Sequence, residues 1–144
     1  MAYTFRFLDD IAMADLAFEA EGDSAEEVFR GATQALLETL ADPATVAASW
    51  ERTVEQTETD LSALLFDWLS ELVYWKDAAG VVFREAPLTL TQENASWVLR
   101  ARLVGAPVDQ EAQVLRNDVK GITKHLYDLK QDGRRWKARV VVDV

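Results

Sequence analysis

Apolar and polar residues alternate along Tyr3-Thr-Phe-Arg-Phe-Leu8 and again along Asp15-Leu-Ala-Phe-Glu-Ala-Glu21, the two-residue period of a β-strand. In the second run Leu16, Phe18 and Ala20 share the face expected to meet a core, while Asp15, Ala17 and Glu19 point the other way. Gly22-Asp23 marks a turn, after which the period changes. Apolar residues at 25, 28, 29, 32, 36 and 40 follow the helical repeat. Ser24-Ala-Glu-Glu27 has the capping-box pattern, with the serine hydroxyl taking the Glu27 amide and the Glu27 carboxylate reaching back. Asp42-Pro43 ends this helix, because the residue before a proline is pushed out of the helical region.

Residues 46–59 are rich in Val, Trp and Thr without a helical stripe and read as one strand. Asp60 is placed to cap a second helix running from Leu61 to about Lys76. Its wide apolar face, Leu61, Leu64, Leu65, Trp68, Leu69, Leu72 and Val73, predicts a mostly buried helix closed by 77–80. Four β-like runs follow, at 81–91, 96–104, 119–130 and 136–144. Asn94 and Asp132-Gly133 supply turns between them, and 106–117 reads as a loop or a short helical turn. The order ββαβα followed by four strands lacks the regular crossover helices of a parallel sheet. The expected fold is therefore α+β, with largely antiparallel sheets packed against two main α-helices. No linker, repeat or low-complexity run divides residues 1–144, which predicts a single domain.

Charge and composition narrow the chemistry. A net charge of −10 over 144 residues repels phosphate backbones and disfavours direct nucleic-acid binding. It suits divalent cations, a basic partner surface or solubility alone. The absence of cysteine excludes thiol catalysis, disulfides and cysteine-bound zinc, and a single histidine, His125, excludes two-histidine sites. The N-terminal MAYTFRFLDD has no signal-peptide core and no stretch approaches about 18 apolar residues, so a cytoplasmic protein without membrane contact is expected.

No glycine-rich phosphate loop is present, and no serine sits in a nucleophile-elbow context that could use His125. Asp9-Asp10 followed by Asp15 forms a carboxylate cluster beside the first two strands. Such oxygens suit Mg²⁺ or Ca²⁺; the plainer reading is a solvated turn. Asp143 follows Val140-Val-Val on a strand built for burial. A buried carboxylate is costly unless paired or metal-bound, whereas fraying of the last residues into solvent removes the cost. Lys120 and His125 are an odd number of residues apart, which places them on opposite faces of a regular strand unless a bulge, for instance at Gly121, changes the parity. Arg134-Arg135-Trp136-Lys137 is a short basic group best explained by hairpin solubility.

These segments together resemble the archease family. Asp60-Leu-Ser-Ala-Leu-Leu-Phe-Asp-Trp-Leu-Ser-Glu-Leu-Val-Tyr74 resembles its central helix, DLxxLLxxWLxELxY. Ala14–Gly22 is similar to its A-D-[IV]-x-[FIL]-x-A-x-G strand, and Ser24–Phe29 to the start of its first helix. Asp118-Val-Lys-Gly-Ile-Thr-Lys-His125 and Trp136-Lys-Ala-Arg-Val-Val-Val-Asp143 resemble its later strands. The resemblance implies an accessory protein that activates an RtcB-type RNA ligase in tRNA splicing or RNA repair. It would promote guanylylation of the ligase with GTP and permit multiple turnover. It implies metal ligands at Asp15 and Asp143 and a contact to ligase or nucleotide through Lys120, with His125 a weaker member. The divalent ion would be Ca²⁺, Mg²⁺ or Mn²⁺, and RNA would be met only through the ligase.

The chain departs from the family pattern in two places. Ala12-Met-Ala-Asp15 stands where H-T-A-D is usual, which leaves Asp9 or Asp10 to compensate, and Gln113 stands where a histidine is often found. Two other readings compete: a small metal-dependent enzyme acting on nucleotides or phosphoesters, and a chaperone-like interaction module. The lack of a base–nucleophile pair weighs against the first. The joint match at Asp15, Lys120 and Asp143 weighs against the second.

Overall fold

In a computed structural model, residues 2–8 and 15–144 are described; Asp9 and Asp10 lie outside them. The elements are β1 (Tyr3–Leu8), β2 (Leu16–Gly22), α1 (Ala25–Leu40), β3 (Trp50–Glu58), α2 (Leu61–Ala79), β4 (Val81–Glu85), β5 (Leu88–Glu93), β6 (Ser96–Pro107), β7 (Gly121–Asp132) and β8 (Arg135–Asp143). A 3-10 turn, Pro43–Thr45, follows α1. The strands pair antiparallel in two sheets, one ordered β1-β2-β8-β7 and the other built around β6, with β3 on one side and β4 and β5 on the other. This is the expected α+β architecture.

Both helices touch both sheets: α1 meets β1, β2 and β8 on one side and β4 and β5 on the other, while α2 meets β7 and then β3, β4 and β6. One continuous core results, in which Phe18, Phe29, Leu36, Trp68, Leu72, Leu99, Val140 and Val142 are all buried. Two-sided burial also explains a difference from the sequence reading. The apolar stripe of α1 predicts a helix with one buried face, yet Gly31, Thr33, Ala35, Leu37 and Thr39 are buried as well. The threonines are tolerated because each hydroxyl donates to the carbonyl four residues back, Phe29 and Ala35, at 2.7 Å. Trp68 Nε1 then donates to Thr33 Oγ1 at 2.8 Å and joins the two helices inside the core. Conversely α2, expected to be mostly buried, keeps Asp67 and Tyr74 exposed.

The caps form largely as the sequence predicts. Ser24 Oγ accepts from the Glu27 amide at 3.1 Å and Asp60 Oδ2 from the Ala63 amide at 3.1 Å. The return arm of the capping box is replaced: the Glu27 carboxylate accepts from Arg30 instead. Gly80, at φ 65°, closes α2 in the left-handed conformation that glycine adopts without strain.

The strands differ in detail from expectation: β6 runs on to Pro107, past 104, and β7 begins at Gly121, which leaves Lys120 outside it. The run 81–91 divides at Ala86-Pro87, since proline has no amide for the ladder, and a one-residue bulge at Arg84 shifts the register. Both pieces still pair with β6, and the second ends in the Asn94 turn, where φ is 58°. The 46–59 run starts as a strand only at Trp50, after the 3-10 turn. In β7 the pairing with β8 jumps from Thr123↔Val141 to Asp128↔Arg139, so 124–127 stand opposite the single residue Val140. The bulge thus lies at these residues rather than at Gly121, which pairs normally with Asp143.

Glycine is required where β6 crowds against β4. A Cβ at Gly105 would lie 2.0 Å from the Val82 carbonyl oxygen, whereas one at Gly121 meets nothing within 4 Å. Gly105→Ala is expected to destabilise the protein by about 3 kcal/mol in urea unfolding. Gly121→Ala should stay within about 0.5 kcal/mol of the parent or slightly above it.

Candidate functional site

The end of the first sheet gathers three of the sequence-predicted residues, Asp15, Lys120 and Asp143. Leu16 of β2 pairs with Val142 of β8, so Asp15, the bend residue just before β2, lies next to Asp143, the last residue of β8. Strand alternation puts Asp143 on the face that also carries Val141 and its register partner Ala17, which are buried and lie outside the shared core. Asp143 itself is exposed, so the cost that attaches to a buried, unpaired carboxylate does not arise.

On the other side of β8, Gly121 pairs with Asp143, and the Lys120 amide donates to the Asp143 carbonyl at 2.7 Å. Lys120 is exposed and makes no ion pair among the described residues. Its charge is felt at Asp118, whose carboxyl is held below its usual range first by the hydrogen bond from Lys76 and then by the charges of Lys76 and Lys120.

His125 is placed elsewhere. It sits exposed in the 124–127 bulge opposite Val140, three β8 residues or roughly 10 Å along the strand from Asp143. Tyr127 fixes the base of that bulge to α2: its hydroxyl donates to the Ser62 carbonyl at 2.6 Å, and its ring meets Phe66 edge-on at 5.4 Å. Burial pushes the Tyr127 hydroxyl well up, so it remains a neutral donor at ordinary pH. Lys124 Nζ lies 3.7 Å from the Phe66 ring centroid. The next residue but one, Leu126, is 39% exposed at φ 57°, a conformation costly for a branched side chain.

The chemistry of the sheet end is that of hard oxygen donors. Two carboxylates on adjoining chain segments suit a divalent cation of the Mg²⁺, Mn²⁺ or Ca²⁺ type, which takes six or more oxygens. Among the described residues no group of three or more His, Asp or Glu side chains is arranged to hold a metal. The pair is therefore a partial donor set, to be completed by backbone carbonyls, water or further oxygens. Gln113 contributes nothing here: its amide accepts from the Asp109 amide and donates to the Pro107 carbonyl, closing the 109–113 turn. The basic group is likewise engaged, with Arg135 on Asp23 at 2.7 Å and Lys137 3.7 Å from both Glu19 and Glu21.

A feature not read from the sequence lies beside this end. Lys76, in the last turn of α2, is only 8% exposed, and its ammonium reaches Asp118 Oδ1 at 2.5 Å and Asp77 Oδ1 at 2.8 Å. Burial pulls its pKa down, but the hydrogen bonds and charges of the two carboxylates outweigh that, and the net shift is upward. It borders a cavity of about 260 Å³ whose lining includes Leu40, Val82 and Leu115 together with Arg116, Asn117 and Asp118. A lysine falling on the apolar stripe of α2, three residues after Val73, was the available signal.

Comparison with known proteins bears on the whole chain. The family model described as the Archease protein family (MTH1598/TM1083) matches residues 5–144. Protein archease of Methanothermobacter thermautotrophicus is 33% identical over 140 residues, covering 97% of this chain and 98% of that protein. Protein archease of Methanosarcina barkeri is 31% identical, covering 97% and 95%. The solution structure of Methanobacterium thermoautotrophicum protein 1598 superposes with a TM-score of 0.81 at 32% identity, over 97% of this chain and 98% of that one. The Thermotoga maritima archease crystal structure, at 21% identity over 96% and 98% of the two chains and a TM-score of 0.63, shares the fold. The chain belongs to the archease family.

Proposed function

We propose that this protein is a non-catalytic accessory factor that activates an RtcB-type RNA ligase, promoting its guanylylation with GTP and its multiple turnover. The observation that carries the reading is the register Leu16↔Val142, which sets Asp15 beside Asp143 while Lys120 is bonded to the Asp143 backbone. These are the three positions at which the family resemblance implies working residues. The Thermotoga relative is described as a possible chaperone, and a protein partner is common to both descriptions. The chain's charge of −10 suits docking on a basic RNA-handling enzyme, with RNA met through that enzyme.

In this reading Asp15 and Asp143 supply oxygens to a divalent cation, and Lys120 supplies a point charge to a phosphate or to the ligase. When bound, the cation provides a positive centre that stabilises phosphate oxygens. The chain's own task is to hold the two carboxylates at fixed spacing on a rigid sheet end, where the pairing of β2, β8 and β7 limits their motion. The protein would act in the cytoplasm; among the described residues no helix is long and apolar enough to cross a membrane.

RNA ligation by a limiting amount of the cognate RtcB-type ligase, with GTP and Mn²⁺, tests the proposal. Added protein should convert a single turnover into many. Unchanged turnover with the cognate ligase would contradict it, and phosphoester or nucleotide turnover by the isolated protein would favour the enzyme reading. Asp143→Ala should abolish stimulation at an unchanged melting temperature, since the side chain is exposed. Calorimetric titration with Mn²⁺ or Ca²⁺ should show affinity falling on the order of 10-fold or more in Asp15→Asn and Asp143→Asn. Equal affinity in parent and variants would remove these residues from the cation site.

A further inference from the structure

The segment between the 109–113 turn and β7 has no regular secondary structure, yet its backbone and side chains are pinned at successive points. The Arg116 and Asn117 amides donate to the carbonyls of Leu40 and Thr39 at 3.0 and 3.1 Å, and the Arg116 guanidinium donates to the Glu38 carbonyl at 2.8 Å. A helix ends with carbonyls that lack intrahelical partners, and here the segment satisfies those of α1. Asp118 is then held by Lys76 of α2, Val119 is fully buried, and the Lys120 amide meets the Asp143 carbonyl.

We infer that Lys76 and Asp118 form a clamp between α2 and this segment, and that the clamp positions Lys120 beside Asp143. The inference rests on the proposed role of Lys120. Three observations support it. The Lys76 side chain is almost buried along its length while its partners' side chains are exposed, 80% for Asp118 and 63% for Asp77, so the contact draws the segment onto the helix end instead of filling the core. Cations are favoured at the last turn of a helix, which stabilises Lys76 where it stands. Asp118 is two residues from Lys120, with the buried Val119 between them as a fixed pivot, so movement at 118 is transmitted to 120.

The clamp also engages Asp118. With Asp118 bound to Lys76, the Lys120 ammonium is left without an ion-pair partner among the described residues. Lys76 is thus a positioning residue for Lys120 and touches neither of the carboxylates at the sheet end.

Loss of either clamp partner leaves an exposed carboxylate or a lysine at the rim of a cavity, so the variants are expected to fold. Amide hydrogen exchange by NMR reads the clamp directly. In Lys76→Met and Asp118→Asn, protection of the Lys120 amide should fall about 10-fold, as expected from losing one charge-assisted hydrogen bond. Core amides of α1 should be unchanged, and Lys76→Arg should retain most of the protection. Ligase stimulation should fall in Lys76→Met and Asp118→Asn, and neither change should add to Lys120→Ala in double variants. Unchanged Lys120 protection in both variants overturns the inference. So does a uniform loss that includes the α1 amides, which would make the pair a general stabiliser. If Lys120→Ala leaves ligation unaltered while the local loss of protection still occurs, the ligase reading fails and the clamp stands.

Discussion

The antiparallel pairing of β8 with β2 and β7 is the constraint on which the rest depends. β8 is an inner strand of its sheet, with β2 on one side and the hairpin partner β7 on the other. Its inward residues Ala138, Val140 and Val142 are buried in the shared core, which sets the register, because a slip of one residue would turn all three away from that core and bring Lys137 and Arg139 into it. With Val142 fixed opposite Leu16, Asp143 is carried to the last position of the strand and Asp15 to the position beside it. The Asp143 backbone takes the Lys120 amide on its other flank. Core packing and site geometry are therefore two consequences of the same hydrogen-bonded ladder.

The helical layer supports that ladder from within. α1 and α2 are joined by Trp68, Thr33 and Phe29 through buried hydrogen bonds, and each helix contacts both sheets. Their C-terminal ends do further work. The end of α1 offers carbonyls to residues 116 and 117, and the end of α2 offers Lys76 to Asp118. An irregular segment is thereby fixed by elements that are themselves rigid, and it delivers Lys120 to the sheet end without belonging to a strand.

Much of this was legible in the residues. The two-residue period of Tyr3–Leu8 and 15–21, the caps at Ser24 and Asp60, and the Asp132-Gly133 turn give the element order directly, because each has a local cause. The site was legible in part: Asp15, Lys120 and Asp143 came from family-like motifs, and only strand pairing could bring them to one end. What escaped was non-local. The near-complete burial of α1 depends on a second sheet covering its other face, and the 124–127 bulge is held by Tyr127 reaching the Ser62 carbonyl across the fold. Lys76 was visible as a charge on an apolar stripe, but its partner at 118 lies 42 residues away in the chain.

The most direct test of the central claim is paramagnetic broadening by substoichiometric Mn²⁺ in the amide NMR spectrum. A cation held at the sheet end should selectively broaden the amides of Leu16, Gly121 and Val144 and spare those of the distant Asn94 and Gly133 turns. Broadening centred on another acidic surface, such as Asp109 and Glu111, or spread evenly over the acidic residues, would contradict the account.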